Sequence, residues 1–125
     1  DWSSDVCSSD LTQHYAGSCQ CGAIAFEVDA DLDETFTCNC SRCRRMGWTL
    51  AFLPETAFTL TLDGPTTEYL FNTHRISHRF CPTCGIEPFA YAEKDGQRMV
   101  GVNVNCLDGV DARALNSKAV DGASF

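Results

Sequence analysis

No apolar run in this sequence approaches the ~20 residues needed to cross a bilayer as a helix, so an integral helical membrane protein is not expected. Positive charge is also scarce. Nine Lys and Arg stand against 17 Asp and Glu, which gives a formal charge of −8 and a pI near 4.6. The basic face that tracks nucleic acid is therefore missing. The first residues lack the basic and apolar segments of a secretory signal. Helical periodicity is thin throughout. Disorder is not expected either, because the hydrophobic fraction of 44% is that of a folded domain and aromatic and β-branched residues run along most of the chain.

Cysteine is abundant, with nine in 125 residues. A small secreted protein would use that many as disulfides; a chain from a reducing compartment would use them for metal. An odd count and the lack of a signal peptide favour the second reading, a cytoplasmic metalloprotein. Residues 1–11, DWSSDVCSSDL, read as the in-frame translation of a sequencing-library adaptor. They are set aside with Cys7, and residues 12–125 are expected to form a single domain.

Within that stretch the pattern is of short strands. Segments Ala23–Val28, Thr35–Thr37, Thr49–Leu53, Ala57–Leu62, Thr67–Phe71, Ile76–Phe80, Glu87–Ala92 and Arg98–Val104 are β-prone and separated by turn signals. Phe58, Leu60 and Leu62 alternate as one apolar face. Asp63-Gly64-Pro65 marks a turn, and Lys94-Asp95-Gly96 marks a hairpin between the last two strands. Ser41–Arg45 and Val110–Leu115 are the places where a turn or two of helix fits. The expectation is an all-β domain with very little helix.

Seven of the remaining cysteines fall in three groups: Cys19-Gln20-Cys21-Gly22, Cys38-Asn39-Cys40-Ser41-Arg42-Cys43 and Cys81-Pro82-Thr83-Cys84-Gly85. Thiolates one or two residues apart reach one tetrahedral ion from a single tight turn, and sulfur ligands of this kind usually hold zinc. A thioredoxin-type redox pair would need a strand-to-helix junction of an α/β domain, which the pattern does not offer. Seven ligands divide as four plus three. Two pairs would close a structural four-cysteine zinc, and the C-x-C-x-x-C would hold a second zinc with one open position, as catalytic zincs do. Spacing does not say which motifs pair. It also leaves open a fourth protein ligand at the second site, for which His74, His78 and Cys106 stand as candidates. The plainer expectation is that each histidine is a partly exposed strand residue and Cys106 a small buried apolar one.

Five of the nine basic residues, Arg42, Arg44, Arg45, Arg75 and Arg79, lie in or beside these motifs. They offset the negative charge of a thiolate cluster, or they hold the carboxylates of an anionic ligand.

The succession GSCQCGAIAFEV, CNCSRCRR and FCPTCGIEPF resembles the glutathione-dependent formaldehyde-activating enzyme family, whose domain is shared with centromere protein V. The resemblance runs from about His14 to the C-terminus. It implies a compact Mss4-like β fold. It implies that Cys19, Cys21, Cys81 and Cys84 hold a structural zinc, and that Cys38, Cys40 and Cys43 hold a catalytic one, two zincs per chain. It also implies a carbon–sulfur lyase activity on small thiol and aldehyde substrates, in which glutathione adds to formaldehyde to give S-(hydroxymethyl)glutathione. Arg42, Arg44 and Arg45 are then candidates for the carboxylates of the thiol. Asn39 and Glu87 depart from the residues that relatives often carry at those positions, which bears on the substrate more than on the metals. The alternatives are a non-catalytic zinc-stabilised binding module of the same fold, and a redox or metal-buffering protein using C-x-C-x-x-C.

Overall fold

The computed structural model of the protein describes residues 12–70 and 75–124. The adaptor-like stretch, His74 and Phe71 lie outside the described residues.

Two sheets carry the fold. The smaller one has three antiparallel strands, β1 (Gln13–Ser18), β2 (Ile24–Ala30) and β5 (Phe58–Asp63), with β2 in the centre. The larger one contains β3 (Phe36–Cys38), β4 (Leu50–Pro54), β6 (Thr67–Tyr69), β7 (Ser77–Phe80), β8 (Phe89–Lys94), β9 (Gln97–Asn103) and β10 (Lys118–Val120), in the order β10-β3-β4-β9-β8-β7-β6. Only β10 and β3 run parallel. Among the described residues the one α-helix is α1 (Ser41–Met46), with 3₁₀ turns including Ala112–Ala114. The sequence expectation of a nearly helix-free β protein holds, down to the short helix beginning at Ser41.

The core lies between the sheets. β2 alternates as a half-buried strand should, with Ile24, Phe26, Val28 and Ala30 inward. They meet Ala51 and Leu53 of β4, Phe89 of β8, and Val100 and Val102 of β9. Phe26 stacks on Phe58 at 5.5 Å, and Phe58 meets Phe89 edge-on at 5.0 Å. β9 is central in its sheet, and its residues 100–103 are all buried, the mark of a strand covered on both faces. Its hairpin with β8 turns on Asp95 and Gly96, both at positive φ (53° and 79°), the two-residue geometry that matches strand twist and favours Gly at the second position.

The apolar face read into Ala57–Leu62 is cut short. Phe58 and Leu60 point inward, but Leu62 is exposed. The cause is a bulge: Leu60 pairs with Phe26 and Leu62 with Ala25, so Thr61 is the extra residue. One added residue moves every later side chain to the other face. β1 and β10 were not among the sequence-predicted strands. QHYAGS and KAV lack the period of a strand, and both are held by neighbours. Gly17 of β1 sits so close to the Phe26 ring that a Cβ there would stand 2.8 Å from it, while β10 takes its direction from β3.

Candidate metal centres

The four-cysteine site joins two tight turns that lie 60 positions apart in the chain. Cys19 and Cys21 precede β2; Cys81 and Cys84 follow β7. Their four sulfurs lie within 4.8 Å of one another, with Cys19 and Cys21 at 3.7 Å and Cys21 and Cys81 at 3.6 Å. A tetrahedral zinc with Zn–S of about 2.3 Å separates its sulfurs by about 3.8 Å, so the donor set and its spacing fit that ion. Backbone N–H groups are aimed at these sulfurs: Ile24 donates to Cys19 at 3.4 Å. Burial opposes ionisation of Cys84, but N–H groups of Ile86, Cys21 and Gln20 outweigh it and bring the thiol down to about 6. At Cys21 the Ala23 N–H favours thiolate, but the neighbouring Cys81 sulfur and burial outweigh it and push the thiol up to about 11, so a full set of four thiolates needs a cation among them.

Cys38, Cys40 and Cys43 form a second group of sulfurs, also within 4.8 Å. Cys38 ends β3 and Cys40 caps α1, where its sulfur accepts from the Cys43 N–H at 3.3 Å; Cys43 sits one turn into the helix. Burial pushes the Cys40 thiol up, but the N–H groups of Cys43 and Arg42 turn the balance and hold it below the ordinary thiol value. Burial lifts Cys43 to about 12, against the buried indole of Trp48, which favours its thiolate. Among the described residues no fourth His, Cys, Asp or Glu joins the three. The donor set fits zinc with one position left for a ligand.

The C-terminal segment covers this site, which sequence reasoning missed. Asn39, between the first two cysteines, donates to Asp121 at 3.0 Å and accepts from the Ala123 N–H at 2.9 Å. Its own N–H bonds the Val120 carbonyl at 3.2 Å. This latch brings Gly122 so near that a Cβ there would run into Cys38 Sγ. Only glycine leaves room for the sulfur.

The histidine expected to be a partly exposed strand residue is not one. His78 is on β7 but buried, and its Nδ1 lies 2.7 Å from Glu87 Oε2. Glu87 is itself buried, and its Oε1 accepts from Arg42 Nε at 3.2 Å and Nη2 at 2.7 Å. Arg42 also lies over the Tyr69 ring, 4.7 Å from its centroid. One carboxylate therefore ties the C-x-C-x-x-C helix to the strand leading into Cys81. No periodicity announces a buried Glu; its departure from the family pattern was the only signal. Arg42 is turned into the fold, Arg45 is exposed and donates to the Ser41 carbonyl at 2.8 Å, and Arg44 is exposed. Cys106 belongs to neither group; it packs half-buried against the core, and burial raises its thiol to about 12.

The three thiols open on a cavity of about 260 Å³. Among the described residues of its lining, His78 and Arg75 are the ionisable side chains besides the thiols. Among the described residues no helix is long and apolar enough to cross a membrane.

Comparison with known proteins agrees with this arrangement. The sequence model described as glutathione-dependent formaldehyde-activating enzyme matches residues 14–120, a span that contains all seven clustered cysteines. A crystal structure of a Rhodobacter sphaeroides protein superposes with a TM-score of 0.76 at 32% identity, over 84% of this chain and 99% of that one. The chain belongs to the glutathione-dependent formaldehyde-activating enzyme family.

Proposed function

We propose that the protein is a zinc-dependent carbon–sulfur lyase-type enzyme that makes or breaks the adduct of a small thiol, glutathione or one like it, with an aldehyde. The observation that carries this reading is the second cysteine group: three sulfurs, no fourth donor among the described residues, and a cavity in front of them. Zinc bound there would supply a cation with a free position that favours the thiolate form of an incoming thiol.

The chain's own residues do the rest. Cys38, Cys40 and Cys43 fix the reacting end of the cavity, and Gly122 and the Asn39 latch cover it. In the forward direction the thiol sulfur adds to the carbonyl carbon, the C=O electron pair moves to oxygen, and the proton lost from sulfur ends on that oxygen. The reverse step cleaves the same carbon–sulfur bond. No electrons are exchanged with a second reagent. Arg75 borders the cavity and is better placed than Arg42, held by Glu87, to meet a carboxylate of the thiol; Arg44 and Arg45 stand outside the cavity lining. The four-cysteine group would hold the structural zinc.

The test is metal analysis before and after addition of glutathione, followed by thiol–aldehyde adduct assays. Two zincs, one of which changes its spectrum or is lost with thiol, and adduct formation above the uncatalysed rate support the reading. Two zincs indifferent to thiol, with no acceleration for any aldehyde, overturn it and leave a zinc-stabilised binding module.

A further inference from the structure

The cavity in front of the three thiols is far more apolar and roomier than a one-carbon aldehyde requires. Aromatic side chains of Phe36, Trp48 and Phe52 line it together with Leu50 and Ile76. Phe36 and Phe52 stand against each other at 5.6 Å. Beside the rings the same sheet face carries small residues: Gly101 pairs with Phe52 on one side and with Ala90 on the other, and Ala92 follows two positions along β8. Large rings beside small residues on one sheet face leave a slot, and its volume of about 260 Å³ is close to the lower end of the ~300–1,000 Å³ found for ligand pockets. At its mouth Phe52 is 45% and Ile76 43% exposed, apolar surface left uncovered beside reactive groups. A cavity lined this way disfavours the charged ends of a peptide-like thiol, since a carboxylate there would lose water and, among the described lining residues, meet ionisable partners besides the thiols only at Arg75 and His78.

From this we infer that the aldehyde partner carries an aryl or branched-alkyl group that fills the slot, with its carbonyl carbon directed at Cys38, Cys40 and Cys43. This rests on the lyase reading above and adds the substrate class. The adduct step is balanced as before: RSH and R′CHO give RS–CH(OH)R′, with R′ held by Phe36, Trp48 and Phe52. A single-carbon aldehyde would leave the slot to water and gain nothing from its rings. Burial of a phenyl group is worth enough to favour the larger aldehyde by about tenfold or more.

The experiment uses the zinc-loaded full chain with Trp2→Phe, so that Trp48 is the only indole. Its fluorescence is titrated with phenylacetaldehyde, with the unreactive alcohol 2-phenylethanol, and with formaldehyde. Adduct formation with glutathione is measured for both aldehydes in parallel. The expected result is a saturable Trp48 change with both phenyl compounds, at least about tenfold tighter than any response to formaldehyde, and a matching preference in kcat/KM. Ala92→Leu, which narrows the slot, keeps its zinc content and loses the phenyl preference. If the phenyl compounds give no saturable change, or if Ala92→Leu binds them as well as the parent, the inference is overturned. The two readings fail separately. Phenyl binding at Trp48 without turnover of any aldehyde sinks the lyase and keeps the slot; turnover of formaldehyde without phenyl binding does the opposite.

Discussion

Removing the carboxylate of Glu87 tests the link between the two cysteine segments. Glu87 is 4% exposed and takes a two-pronged bond from Arg42 on one oxygen and faces His78 Nδ1 with the other. Glu87→Ala leaves a cavity and withdraws the paired carboxylate from a guanidinium whose side chain is 22% exposed. Breaking a buried pair by deleting one partner costs about 3–5 kcal/mol. Arg42 keeps some water and its place over Tyr69, so the lower figure, about 3 kcal/mol, applies. For a domain of this size that is a fall in Tm of roughly 10–15 °C. Glu87→Gln keeps the volume and an acceptor oxygen and should lose about half as much. The assay is thermal unfolding at fixed free zinc, because metal binding to the folded state shifts Tm by mass action. A double-mutant cycle with Arg42→Ala isolates the pair. A Glu87→Ala protein that melts within 2–3 °C of the parent, by roughly the error of such scans, would refute the reasoning.

The two cysteine groups should respond differently to loss of one ligand. Cys81→Ser is expected to unfold the domain, because that sulfur is buried in the core and its site joins distant turns; Cys43→Ser should lose one zinc and activity yet keep its near-ultraviolet circular dichroism. If Cys43→Ser unfolds, the second site is structural. Gly122→Ala should displace the C-terminal segment from Cys38 and weaken the second zinc alone by about tenfold, a cost of the size usual for overpacking; equal zinc retention in a chelator competition would show that the segment yields freely. On β1, His14 is bonded to Asp29 and Glu27, which raise its pKa above 6.5. Because the folded value is the higher one, its small contribution is full below the unfolded value and is lost as pH rises through the folded one. An NMR titration with its midpoint below 6.5 would contradict this.

How much of this was legible in the sequence differs by element. Thiol spacing is a local property, and the three cysteine groups are as local as a turn, so the motifs could be read directly. The division into four and three could be counted as well, although which pairs join came from the family resemblance. β2, β4, β8 and β9 showed in their apolar patterns because each faces the core with a regular period, and Asp95-Gly96 announced its hairpin for the same local reason.

What only the tertiary structure decided is what depends on neighbours distant in the chain. A bulge at Thr61 sends Leu62 outward, and nothing in AFTLTL marks it, because a bulge is set by the partner strand. Glu87, His78 and Arg42 come from three separate segments, and their burial together is a fact of packing, not of period. Asn39 and Gly122 are 83 positions apart by number, and they meet over Cys38 only because β10 pairs with β3. The sequence thus determined which atoms can bind metal. The fold determined that one group is tied into the core, while the other opens on a slot of rings and small residues, because burial and access are properties of the whole packed chain.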